Sequence, residues 1–125
     1  MHYVCLIYAN EASDTALTGF ETQALVDECN AYSEQLARRG ALVARMRLGD
    51  SSTATTLRVR NGRVSMTDGP FAETKEQLAG FYMIEADDMD AALRIARDIP
   101  PARVASVEVR QVMTLGARPA RAATA

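Results

Sequence analysis

Lysine, histidine, cysteine and tryptophan are scarce in this sequence, and each scarcity removes a class of function. Tryptophan does not occur, histidine occurs once, as His2, and cysteine twice, as Cys5 and Cys29. A zinc centre draws on clustered Cys and His, and the chain has neither a C-x-x-C pair nor a second histidine. Cys5 falls in an apolar strand-like run and Cys29 on an apolar helical stripe, so both read as small buried hydrophobes with inert thiols. Basic excess is lacking too. The formal net charge is -2 and the pI about 5.4, which argues against nucleic acid, whose backbone is bound by clustered Lys and Arg. The opening run from His2 to Tyr8 is too short to span a bilayer and has no basic region or small-residue cleavage site before or after it. It reads as the first strand of a cytoplasmic protein that does not engage a membrane. No phosphate-binding loop, dinucleotide fingerprint, metal-ligand cluster or G-x-S-x-G elbow occurs, and no cofactor is expected.

What is present describes an ordinary folded domain. Hydrophobic residues make up 48% of the 125 positions and charged residues 24%, proportions that exclude disorder for the body of the chain. A chain of this length forms one domain and buries roughly two-thirds of its unfolded surface. Its basic charge rests on thirteen arginines and one lysine, Lys75. Guanidinium stays charged, so Lys75 is the one cation whose pKa burial can move toward neutrality, which makes it a candidate on chemistry alone.

The pattern of apolar residues predicts the elements. His2–Tyr8 is apolar on both faces, as in a strand covered on two sides. After a polar loop over 10–17, Thr18 and Glu21 read as a capping box opening a helix. Leu25, Cys29, Tyr32 and Leu36 form its buried stripe, and Arg38-Arg39-Gly40 supplies its stop. Strands are predicted over 41–48 and 54–60, and Asn61-Gly62 is a two-residue hairpin turn into a strand over 63–67. Arg58, Arg60 and Arg63 mark a solvated face of that hairpin. A fifth strand spans 80–86. The Asp87-Asp88-Met89-Asp90 cluster starts a second helix with Ala92, Ile95, Ala96 and Ile99 on its apolar stripe, ended by Pro100-Pro101. A last strand spans 104–113. Residues 116–125 carry no apolar payload and read as a disordered tail beyond a domain of residues 1–115.

Strand, helix, run of strands, helix, strand predicts an α+β sandwich with two helices on one face of an antiparallel sheet. Two helices cover only one side, yet the first strand is apolar on both. A homodimer formed through the sheet resolves this, because a two-fold axis buries the same patch on each copy.

The most specific stretch is Asp68-Gly69-Pro70-Phe71, followed by Glu73-Thr74-Lys75-Glu76 and Gly80-Phe81-Tyr82. With Leu6-Ile7-Tyr8 before it and Ile99-Pro100 and Val107-Glu108-Val109-Arg110 after it, this order of motifs resembles the YCII-related family. It is most similar to the branch named for its Asp-Gly-Pro-Phe (DGPF) motif. The resemblance covers residues 1 to about 113. It implies a ferredoxin-like fold whose sheets pair into a dimeric α/β barrel. It also implies a regulatory setting, since members of the branch are often encoded beside, or fused to, alternative sigma factors of the extracytoplasmic-function type. Some wider relatives resemble enzymes with a His and Asp pair whose histidine lies on the first helix. No histidine occurs between Phe20 and Gly40 here, so that mechanism is not carried over.

The residues left for chemistry are few. Asp68, Glu73 and Glu108 are candidate acid or base catalysts, because a carboxylate at the edge of an apolar cavity has a raised pKa. Tyr8, Lys75, Tyr82 and Arg110 are candidate ligand-binding residues. Two readings follow. One is a dimeric small-molecule-binding module, accessory or regulatory, with a cavity near Asp68 and Tyr82. The other is a cofactor-free lyase or isomerase acting on a small aromatic or carbonyl compound by proton transfer. A shallow open groove favours the first, and a closed apolar pocket with a buried carboxylate favours the second.

Overall fold

Alternating burial along the first strand sets the whole architecture. A computed structural model of the protein describes residues 1–14 and 19–113. Strand β1 (His2–Ala9) buries Tyr3, Cys5, Ile7 and Ala9 on one face, while Val4, Leu6 and Tyr8 on the other are only partly buried. It pairs antiparallel with β5 (Gln77–Glu85) on one side and β6 (Ser106–Gln111) on the other, and β2 (Leu42–Arg47) adds to the far edge of β5. The sheet order is β2-β5-β1-β6. A one-turn helix α1 (Glu11–Asp14) interrupts the predicted loop, and α2 (Gly19–Arg38) and α3 (Met89–Arg97) are the two longer helices. Strand, helix, two strands, helix, strand in this antiparallel order is the ferredoxin-like arrangement. The predicted cap at Thr18 and the tail over 116–125 lie outside the described residues. Among those described, no helix is long and apolar enough to cross a membrane.

One face of the sheet and both longer helices make the core. Leu36 from α2, Ile84 from β5, Ile99 after α3 and Cys5 from β1 are fully buried, and Tyr82, Ala92, Ile95 and Ala96 join them. Burying a Leu or Ile side chain contributes about 1.5–3 kcal/mol, so this layer carries most of the fold's stability. Tyr32 on α2 stitches the helices together, its hydroxyl donating to the Ile95 carbonyl at 2.7 Å. Burial, with the charge of Asp98 adding to it, pushes the Tyr32 phenol up to about 12, and burial alone pushes the Cys5 thiol up to about 11. At the start of α3, Asp88 accepts a 2.8 Å bond from the Ala91 amide, the capping role its sequence position predicts.

The hairpin departs from the expected single run of strands. β3 (Thr55–Arg60) and β4 (Arg63–Asp68) form a separate two-stranded ribbon. Its turn is the predicted one, with φ of 53° at Asn61 and 75° at Gly62, a backbone that matches the twist of a two-residue hairpin. Leu57 faces Met66 and Val59 faces Val64 across the ribbon. All four are more than half exposed, from 52% to 69%. Residues of the opposite parity, Arg58, Arg60 and Arg63 among them, make the polar face.

Candidate functional site

The polar turn between the ribbon and β5 is built by backbone constraints. Gly69 has φ of 102°, a conformation that a side chain disfavours. Its amide donates to the Ala54 carbonyl at 2.7 Å and its own carbonyl accepts from the Thr56 hydroxyl at 2.9 Å. These bonds close the base of the ribbon, and the Asp68 carboxylate has no part in them. Phe71 then swings back so that the Arg58 guanidinium stands 5.3 Å from its ring centre.

Beyond this turn the chain crosses the end of the sheet and forms an open depression of about 700 Å3, lined by Tyr8 and Asn10, the turn residues Thr74, Lys75 and Glu76, and Ser106, Val107 and Glu108 of β6. Register explains the assembly. Tyr8 lies opposite Ser106, and Leu6 opposite Glu108, so Tyr8, Ser106 and Glu108 share the sheet face that the helices leave open. The Ser106 hydroxyl donates to Glu76 at 2.8 Å, and Arg110 Nε donates to Glu108 at 2.9 Å. Both carboxylates are thereby engaged. Lys75 is exposed and has no ion pair among the described residues.

The chain matches the YCII-related domain over residues 1–116. It is also 38% identical over 112 residues to an uncharacterised protein of Rhizobium meliloti (strain 1021), an alignment that covers 88% of this chain and 90% of the relative. The chain belongs to the YCII-related family.

In this YCII-related domain the residues singled out from sequence fall into separate places. Tyr8, Lys75 and Glu108 meet in the depression, with Arg110 held beside Glu108. Glu73 lines a second, smaller hollow of about 300 Å3 with Ser51, Pro70, Ala72, Thr74 and Gln77. Asp68 ends β4 on the exposed ribbon. Tyr82 is 2% exposed and sits opposite Cys5 on the helix-covered face of the sheet, away from the open face that carries the depression. The expected cavity near both Asp68 and Tyr82 is therefore replaced by one at Tyr8 and Lys75, because the alternation of β5 turns Tyr82 toward the helices.

Tyr82 has an unusual setting within the domain. Its hydroxyl has no hydrogen-bond partner among the described residues. Ser33 stands beside it and donates its own proton to the Cys29 carbonyl at 2.8 Å. Burial raises the Tyr82 phenol, and the neighbouring Ser33 and Arg45 temper that rise. The Arg45 guanidinium lies 5.5 Å from the ring centre and donates to Asn30 at 3.0 Å. A buried aromatic capped by a cation is a packing arrangement, and Tyr82 serves the core.

Glu11 was not anticipated from sequence, yet it organises the approach to the site. Its carboxylate accepts from the Ser51 amide at 2.8 Å and from the Ser51 hydroxyl at 2.6 Å, while its own amide donates to Gln77 at 3.1 Å. Three segments far apart in sequence are joined at this one residue. No local pattern marks it, since its partners lie 40 and 66 positions away.

Proposed function

We propose that this YCII-related domain is a homodimeric small-molecule-binding module of the cytoplasm, accessory or regulatory in role, and that its ligand is a small anion held at Lys75. The observation that carries this reading is the placement of Lys75, a cation without an ion pair among the described residues, at the rim of a depression that also offers the Tyr8 ring, while the lining carboxylates Glu76 and Glu108 are already bonded to Ser106 and Arg110. An aromatic or carbonyl compound bearing a carboxylate matches this lining: its charge answers Lys75, and its flat body rests on Tyr8. A surface ion pair contributes only about 0–1 kcal/mol, so useful affinity requires the depression to be roofed, as a homodimer through the open sheet face would do.

The acid–base alternative has less support. Its three carboxylates are dispersed, with Asp68 on the ribbon, Glu73 in the smaller hollow and Glu108 tied to Arg110. Proton transfer needs a base whose pKa suits the task and which lies within reach of one substrate atom, and these three do not converge. An alternative sigma factor of the extracytoplasmic-function type remains the regulatory partner that the family resemblance suggests.

The test is a thermal-shift screen of small aromatic and aliphatic carboxylates, followed by native mass spectrometry of any hit. A ligand that stabilises the wild type and loses its effect in Lys75→Gln supports the reading. A ligand that binds equally well to Lys75→Gln, or a screen without hits, overturns it. Co-purification with the cognate sigma factor tests the regulatory role separately.

A further inference from the structure

The hairpin ribbon sorts its side chains by parity into two faces of opposite chemistry. Register places Thr56, Arg58 and Arg60 of β3 beside Thr67, Ser65 and Arg63 of β4 on one of them. Every one of these side chains carries a hydrogen-bond donor and none is acidic. Asp68, the only carboxylate of the two strands, pairs with Thr55 and so belongs to the other face. Arg60 and Arg63 are exposed and stand directly opposite each other, a like-charge pair that is unfavourable until an anion answers it. None of the three arginines has an ion pair among the described residues. The chain as a whole carries a net charge of -2, so this face is a local reversal of the overall sign.

An aromatic side chain adjoins the cations. Phe71 is 77% exposed, with the Arg58 guanidinium 5.3 Å from its ring centre. A guanidinium resting on a ring keeps its N–H edge for a second partner. Exposed arginine beside exposed aromatic is the composition of an interface core, where these two residue types carry most of the binding energy.

We propose that this face binds an acidic segment of another protein, its carboxylates taken by Arg58, Arg60 and Arg63 and an apolar side chain of the segment resting on Phe71. The surface shares no residue with the depression at Lys75, so the two are tested apart. Charge complementarity selects the occupant. The planar guanidinium fork matches a carboxylate with two parallel hydrogen bonds, and clustered arginines are a recurring means of reading acidic motifs. The Ser65 and Thr67 hydroxyls, exposed on the same face, add donors for the segment's carbonyl oxygens. The face is also short. From Arg60 to Thr56 it runs about 14 Å at the rise of a strand, the reach of about four residues of extended peptide. Nucleic acid is a poorer match, because its affinity grows with the number of phosphates neutralised, and three arginines on a net-negative chain with a single lysine neutralise few.

Fluorescence anisotropy tests the proposal with a labelled peptide of repeating Glu-Asp-Phe, its uncharged Gln-Asn-Phe counterpart and a labelled single-stranded DNA. The wild type is expected to bind the acidic peptide, more weakly as salt rises, and to leave the uncharged peptide free. The triple variant Arg58→Gln, Arg60→Gln, Arg63→Gln is expected to bind the acidic peptide about ten- to a hundredfold more weakly, with an unchanged circular dichroism spectrum. Phe71→Ala is expected to weaken it by about three- to tenfold. A triple variant carrying Lys at the same positions keeps the charge and is expected to recover part of the binding. No binding of the acidic peptide, equal binding of the uncharged one, or a Gln variant that binds like the wild type overturns the proposal. DNA bound more tightly than the peptide also overturns it and assigns the face to nucleic acid. A Lys variant as weak as the Gln variant traces the loss to the ribbon's structure instead of its charge, and overturns it too.

Discussion

Gly80 on β5 faces the Met46 carbonyl of β2 so closely that a Cβ built on it would stand 2.5 Å from that oxygen. The contact falls where β1 and β5 slip register between Ile7 and Tyr8. The glycine that opens the Gly80-Phe81-Tyr82 motif is thus required by the close approach of two backbones. Gly80→Ala is expected to destabilise the protein by about 1–3 kcal/mol, because rigid backbone has to give way. Urea unfolding with an unchanged m-value would measure it, and a loss below about 0.5 kcal/mol would show that β2 moves aside freely.

The orphan hydroxyl of Tyr82 leads to a prediction of the opposite sign. A buried polar group without a partner costs free energy that its removal returns. Tyr82→Phe is expected to be neutral or to stabilise the protein by up to about 1 kcal/mol, with the ring still packed under Arg45. A loss of more than about 1 kcal/mol in the same urea assay would mean that the hydroxyl is bonded to Ser33.

The weakened acidities of Cys5 and Tyr32 set the alkaline limit of the fold. The Cys5 thiol ionises at about 11 in the folded chain against 9.0 ordinarily, and the Tyr32 phenol at about 12 against 10.0. Above the ordinary values the unfolded chain has released protons that the folded chain retains, so stability falls as pH rises. It is expected to hold up to about pH 9 and to decline between about pH 9 and 12. Cys5→Ala would flatten the lower part of that decline, read from chemical unfolding at stepped pH. A curve for Cys5→Ala parallel to the wild type would show that the thiol plays no part.

Lys75 is predicted to matter for binding and not for folding. It is exposed and bonded to nothing described, so Lys75→Gln is expected to change stability by less than about 0.5 kcal/mol. The same substitution is expected to weaken any carboxylate ligand by about tenfold, the equivalent of about 1.4 kcal/mol. Calorimetric titration of both proteins separates the two effects.

Much of the fold was legible because local rules and tertiary demands agree. Asn61-Gly62 specified the hairpin turn, Asp88 the start of α3, and the spacing of Leu25, Cys29, Tyr32 and Leu36 the buried stripe of α2. The alternation of Leu57 and Val59 with Arg58 and Arg60 showed that the hairpin is amphipathic. It held no information on whether that hairpin joins the main sheet, since both outcomes require the same pattern. The start of β5 was missed by three residues because Gln77 is polar and enters the sheet by backbone pairing with Ala9. At the candidate site, motif order drew attention to the turn that lines the depression, and Lys75 stands there. Which face each candidate takes depends on strand register, and that separated Tyr82 from Tyr8. The Glu11 hub depends on contacts across 40 and 66 positions, which no window along the chain can hold.

The solitary lysine also has a practical side. Lys75 is the single lysine of the sequence, so acylating reagents meet one side-chain amine, at the mouth of the depression. A fluorophore delivered there by ordinary ester chemistry would report on whatever enters the hollow or closes over it, with no residue of the natural sequence replaced.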